Sequence, residues 1–145
     1  MIRMCLKKMC WVLLENICKK IYENKIININ KMDIYTDVIH LEPSDIQMIN
    51  GQTKIAGMSE NGLVVVYAPW CYHCQKLKNT WTNLSKSNPT KFLAVNSTDK
   101  DKGGDKVGQM LNANGFPTIL VVKDGVITGK YSGDRSSGDL QKSAQ

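Results

Sequence analysis

A mixed β-sheet covered by helices on both faces, an α/β fold, is what the sequence predicts, and three stretches of its 145 residues carry that prediction. "GLVVVYA" at 62–68 is an unbroken run rich in β-branched residues, bounded by Gly62 and Pro69, the pattern of a strand buried on both faces. Directly after it, Cys74 to Lys86 places Leu77, Trp81 and Leu84 at helical spacing with polar residues between them, which is a helix with one apolar face. Near the end, "KDG" at 123–125 links "FPTILVV" to "VITGKYSG" as a hairpin turn, so the last two strands are antiparallel. Strands joined through helices need parallel crossovers, and the hairpin adds an antiparallel pair; the sheet is therefore mixed.

Residues 1–32 read as an extension and linker, and residues 33–145 as the α/β domain. Ile2, Leu6, Met9, Leu13, Ile17 and Ile21 recur at spacings of three and four with lysines largely between them, so the first 22 residues predict a basic amphipathic helix. Such a helix is suited to packing on the domain or to peripheral contact with an anionic membrane surface. Its Cys5, Cys10 and Cys18 read as small apolar residues rather than ligands. "NKIININKMD" is the linker. In the domain, "DVIHL" at 37–41 predicts the first strand, and Ser44 reads as the N-cap of a helix over Asp45–Ile49. "KFLAV" at 91–95 is a further strand. Asp105 is placed to cap a helix with Val107, Met110 and Leu111 as its buried stripe, ended by "NANG". A short helix over Asp139–Gln145 ends the chain, and the order is β-α-β-α-β-α-β-β-α.

Charge is unevenly placed. Residues 1–31 hold seven Lys or Arg against two Glu, +5, whereas the rest has 12 basic and 11 acidic residues, +1. The domain thus shows no basic face of the kind that binds nucleic acid. No apolar run is long enough for a transmembrane helix, and Met9–Leu14, broken by Glu15, does not make a secretory signal. The expected location is cytoplasmic or, for a viral protein, the virion. Lys outnumbers Arg 17 to 2 and Asn and Ile are abundant, a bias that reflects AT-rich coding rather than function.

Five cysteines, three of them within the first 18 residues, do not form the disulfide framework of a small secreted domain. Only Cys71 and Cys74 are spaced for a joint role. Alone, such a CxxC is equally half a zinc site, a structural disulfide or a redox pair. No second CxxC and no ligand-spaced His pair exists, because His40 and His73 are far apart in sequence, and no metal site or cofactor is expected. His40 reads as a strand surface residue. "DKDKGGDK" at 99–106 lacks the acidic twelfth position of a calcium loop and reads as a solvated loop. A cysteine at a helix start sees the positive end of the helix dipole and unpaired N–H groups, which favour thiolate, so Cys71 is the expected nucleophile. Cys74, one turn on, is the resolving thiol. An imidazolium at His73 between them stabilises the thiolate and makes the disulfide a better oxidant.

"YAPWCYHCQKLKNTW" resembles the active-site segment of the thioredoxin superfamily, and specifically of protein disulfide isomerase a-type domains, where "YAPWCGHC" is followed by a lysine-rich helix. "GFPT" at 115–118 is similar to that family's cis-proline loop, and "YSGDR" at 131–135 to its final strand and turn; the resemblance spans about residues 37–145. It implies a cis peptide before Pro117, with Phe116, Pro117, Trp70 and Tyr72 at the substrate-binding surface. It also implies an Arg135 that swings toward Cys74 and lowers its pKa. The alternative for Pro117 is an ordinary trans proline at a strand start. Four positions depart from the family pattern. The family's buried acid, six residues before the first cysteine, corresponds to Val65, and its lysine partner to Ala94. Loss of both leaves no stranded charge but removes the proton acceptor of Cys74. The helix-kinking proline corresponds to Asn79, and Tyr72 stands where glycine is usual.

The expected activity is thiol-disulfide exchange with protein cysteines, of the isomerase or oxidase kind, by a monomer recycled by a separate oxidase or reductase. The alternatives are a thioredoxin-like reductant and a redox-inactive peptide-binding module of the same fold.

Overall fold

The computed structural model describes residues 33–145. The amphipathic segment 1–22, the linker up to residue 32 and Cys5, Cys10 and Cys18 lie outside the described residues. Six strands form one sheet: β1 (Ile46–Ile49), β2 (Gln52–Ile55), β3 (Gly62–Tyr67), β4 (Phe92–Asn96), β5 (Thr118–Lys123) and β6 (Val126–Lys130). Among the described residues three α-helices accompany it: α1 (Tyr72–Ser87), α2 (Gly104–Met110) and α3 (Ser137–Ser143). The strand order is β1-β2-β6-β5-β3-β4. β3 runs parallel to β4 and antiparallel to β5, so the sheet is mixed as the hairpin and crossovers required.

All six residues of β3 are buried, because the strand is central and covered on both faces. Alternate side chains divide between two apolar clusters. Leu63, Val65 and Tyr67 pack with Leu77, Trp81 and Leu84 of α1 and with Leu140 of α3. Val64 and Val66 pack on the opposite face with Val107 and Leu111 at α2 and with Ile46 and Ile55. The period of two thus sends one strand's side chains into two cores. α1 runs unbroken for 16 residues, with Asn79 in its interior.

Before β3 the chain departs from the sequence prediction. The helix expected over Asp45–Ile49 is instead a hairpin: a 3₁₀ turn at Pro43–Asp45 leads into β1, which pairs antiparallel with β2 from Ile46↔Ile55 to Ile49↔Gln52. Asn50 (φ 52°) and Gly51 (φ 76°) form its turn, both left-handed, as a two-residue hairpin loop requires. Ile46 and Ile55 reach the core, and that burial outweighs the helical spacing. β2 then extends the sheet beyond β6, with Lys54 opposite Val126 and the Ile55 N–H donating to Gly125 O at 2.8 Å. The strand expected over 37–41 shrinks to one parallel bridge, His40↔Ala94, flanked by Leu41 N–H to Ala94 O and Ala94 N–H to Ile39 O. In α2 the residue at the N-cap is Gly103, with Asp105 inside the first turn, and Met110 is exposed while Val107 and Leu111 are buried.

Candidate active site

β3 ends at Tyr67, and Ala68-Pro69-Trp70 carry the chain past the sheet to Cys71, the N-cap of α1. Cys71 is extended (φ −77°, ψ 122°), its N–H donates to Ala68 O at 3.0 Å, and its carbonyl receives the Gln75 N–H at 3.0 Å. The Gln75 side-chain amide donates to Pro69 O at 2.9 Å, which fastens the approach loop to the helix's first turn. A capping position normally holds a side-chain oxygen; here the Cys71 Sγ accepts the Cys74 N–H at 3.4 Å. That places the sulfur among the orphan N–H groups of the helix start. Both cysteines are free thiols.

The Cys71 thiol faces the carbonyl of Phe116 at 3.5 Å, and the Phe116–Pro117 peptide is cis. Trp70 stands edge-on to Phe116, with centroids 5.9 Å apart, and is 67% exposed. Cys71, Phe116, Pro117 and Trp70 therefore share one surface. Tyr72, exposed like Trp70, contacts His73 at 5.6 Å and lies under the Lys76 ammonium at 5.1 Å. His73 and Arg135 are both exposed and line a cleft along α1.

Cys74 has no solvent exposure, and burial pushes its thiol up to about 12 from an ordinary 9.0. A hydrogen bond with Cys71 and the charge of Cys71 add to the rise; a backbone hydrogen bond at Ala68 and the charge of Arg135 oppose it. Val65 and Ala94 lie directly opposite each other across β3 and β4, fully buried, in the same apolar cluster as Cys74. The environment of Cys74 is therefore hydrocarbon where the family resemblance implied an acid and a lysine.

Two tyrosines were not singled out from the sequence. Tyr35, fully buried, donates its hydroxyl to Cys74 O at 2.8 Å and packs edge-on against Tyr67 at 4.5 Å. Tyr67 in turn donates to Asp33 Oδ1 at 3.1 Å, which also receives the Asn96 amide at 2.8 Å. Burial raises both phenols well above the usual tyrosine range, so they are neutral donors. His40, read as a surface residue, belongs to this network: its Nε2 is 2.7 Å from Tyr67 Oη and its Nδ1 2.8 Å from Val38 O. Tyr35 is the single tyrosine of "MDIYTDV", a stretch of mixed polarity with no periodic pattern, and contacts across 39 residues leave no local signal.

The thioredoxin family model matches residues 47–145. Protein disulfide-isomerase erp38 of Neurospora crassa is 35% identical over 106 residues, 69% of this chain and 28% of that protein. A thioredoxin domain-containing protein of Acanthamoeba polyphaga mimivirus is 29% identical over 106 residues, 70% of this chain and 31% of that protein. Among solved structures, the J-Trx1 fragment of ERdj5 superposes with a TM-score of 0.52 at 26% identity, over 73% of this chain and 49% of the fragment. The chain spans between 16% and 28% of the length of the erp38 protein, a Drosophila melanogaster thioredoxin domain-containing protein 5 homolog and a Schistosoma mansoni probable disulfide isomerase. With a CxxC at the N-cap of α1, a mixed sheet delivering it and a family match over two thirds of its length, the chain belongs to the thioredoxin family, as a domain of the protein disulfide isomerase a type.

Proposed function

We infer that the protein is a thiol-disulfide oxidoreductase that exchanges disulfides with cysteines of other proteins, in the isomerising and oxidising direction. The observation that carries this reading is the position of Cys71: its sulfur caps α1 and faces the Phe116 carbonyl beside exposed Trp70, while Cys74 sits buried one turn inward. In the reducing half-reaction, the Cys71 thiolate attacks one sulfur of a substrate disulfide. A Cys71–substrate disulfide forms and the other substrate sulfur leaves as thiolate. Cys74, after losing its proton, attacks Cys71 Sγ; the Cys71–Cys74 disulfide forms and the second substrate thiolate leaves, so two electrons pass to the substrate. Oxidation of a substrate dithiol is the same sequence reversed. Isomerisation needs only the first attack and its reversal at another sulfur. His73 and Arg135 are the tuning groups in this scheme, and Trp70, Tyr72, Phe116 and Pro117 the surface on which the substrate chain lies.

One observation favours a second reading, a peptide-binding module with idle cysteines: Cys74 is held in its neutral form by burial, with Val65 and Ala94 in place of a proton acceptor. Substituting Cys74→Ala separates the two. An exchanger then accumulates Cys71 mixed disulfides with protein substrates, visible on non-reducing gels, and an idle module forms none. A glutathione titration of the wild-type pair sets the direction. Isomerase-type couples lie at about −180 mV and thioredoxin at about −270 mV, roughly 4 kcal/mol apart. A midpoint at the thioredoxin end overturns the oxidising direction.

A further inference from the structure

We propose that the cleft between α1 and the loop preceding α3 is an anion-binding subsite, which selects substrates with a carboxylate side chain next to the reacting cysteine; this rests on the exchange reading above. The cleft encloses about 190 Å³ and is lined by His73, Lys76, Leu77, Thr80 and Arg135. Four of these lie on successive turns of α1, so one helix flank presents the imidazole, the ammonium and the Thr80 hydroxyl in line, and Arg135 closes the far wall. No Asp or Glu lines it. Among the described residues none of His73, Lys76 and Arg135 forms an ion pair, and Asp134, next to Arg135 in the chain, is not part of the lining.

This concentration is local. Residues 32–145 carry nearly equal numbers of basic and acidic side chains, so three basic side chains without an ion pair around one cavity are not a by-product of overall charge. The floor is Leu77, part of the core that holds Cys74, and the charge of Arg135 is felt at the Cys74 thiol. A group bound here therefore lies within electrostatic range of Cys74. The cavity has room for one acidic side chain, with the planar guanidinium suited to a carboxylate and the Thr80 hydroxyl able to donate.

The test uses three peptide disulfides that differ only in the residue beside the cysteine: Glu, Gln or Lys. The expected order of kcat/KM is Glu over Gln over Lys, with Glu favoured over Gln by about fivefold at low ionic strength, the scale of exposed ion pairs. High salt should remove the preference. Lys76→Glu, at an exposed position, should abolish or invert the order, read as the ratio of Glu-peptide to Gln-peptide rates within the variant. Equal rates for Glu and Gln in the wild type, or a preference that Lys76→Glu leaves unchanged, overturns the subsite. A second arm needs no redox chemistry: the same peptides with serine for cysteine are titrated by NMR. Amide shifts over 73–80 and at Arg135 that appear with the Glu peptide and not with the Gln peptide support the subsite; none, or equal shifts, overturn it. If no disulfide peptide reacts, the exchange reading fails, and the binding arm still decides the cleft.

Discussion

In the proposed exchange, Cys74 sets the tempo. Resolution needs its thiolate, yet burial is the largest cause of its raised pKa, and that cause persists once Cys71 is tied up in a mixed disulfide. The resolution rate should climb about tenfold per pH unit from pH 7 to 9, since the thiolate fraction does so well below a pKa of about 12. Rapid quenching of the mixed disulfide across that range checks this, and a flat profile would show that another group takes the proton. Val65→Glu supplies an acceptor from the same cluster. It should raise the resolution rate at pH 7 and flatten the profile, while costing several kcal/mol of stability because the carboxylate is buried without a partner. Denaturant unfolding alongside the kinetics separates the two effects. The placement of both cysteines at a helix start was open to reading from "WCYHC", because that spacing is local. Tyr35 was not, since the hydrogen bond of its hydroxyl to Cys74 O joins segments that only packing brings together.

At the level of elements, the hairpin β1–β2 is where local and tertiary preferences part. "PSDIQMI" satisfies an N-cap and helical spacing, while "INGQT" contains the Asn-Gly pair that favours a tight hairpin turn. The sheet decides between them: β6 would otherwise be an open edge, and β2 pairs with it while Ile46 and Ile55 fill the core below. Gly51→Ala tests the turn. A Cβ there meets nothing within 4 Å, so the expected loss of about 1 kcal/mol comes from the positive φ alone. Thermal unfolding reads it, and an unchanged midpoint would mean that the turn does not need a left-handed residue. β3, α1 and the β5–β6 hairpin followed their sequence patterns because each pattern agrees with the burial it receives.

For the molecule as a whole, the raised thiol and phenols couple stability to pH. The folded, reduced chain keeps the Cys74 proton up to about 12, whereas the unfolded chain releases it near 9. That contribution is complete below pH 9 and is lost as pH rises toward 12. Tyr35 and Tyr67 act in the same sense, starting from their ordinary value of 10.0. Reduced protein should therefore lose more stability between pH 9 and 10 than the Cys71–Cys74 oxidised form, in which Cys74 has no proton to lose. Unfolding of both forms at those two pH values checks this; equal losses would show that Cys74 is not shielded. Local sequence is enough for the α/β class, the buried central strand and a CxxC pair at the start of α1. Periodicity and spacing record burial and helix position within a few turns of chain, and those features need nothing else. Only the tertiary structure decided that residues 46–55 are a hairpin, that Tyr35, Tyr67, Asp33 and His40 form one network behind Cys74, and that His73, Lys76 and Arg135 surround one cleft. These depend on which distant segments the sheet brings into contact, and side-chain order along a chain carries no record of that.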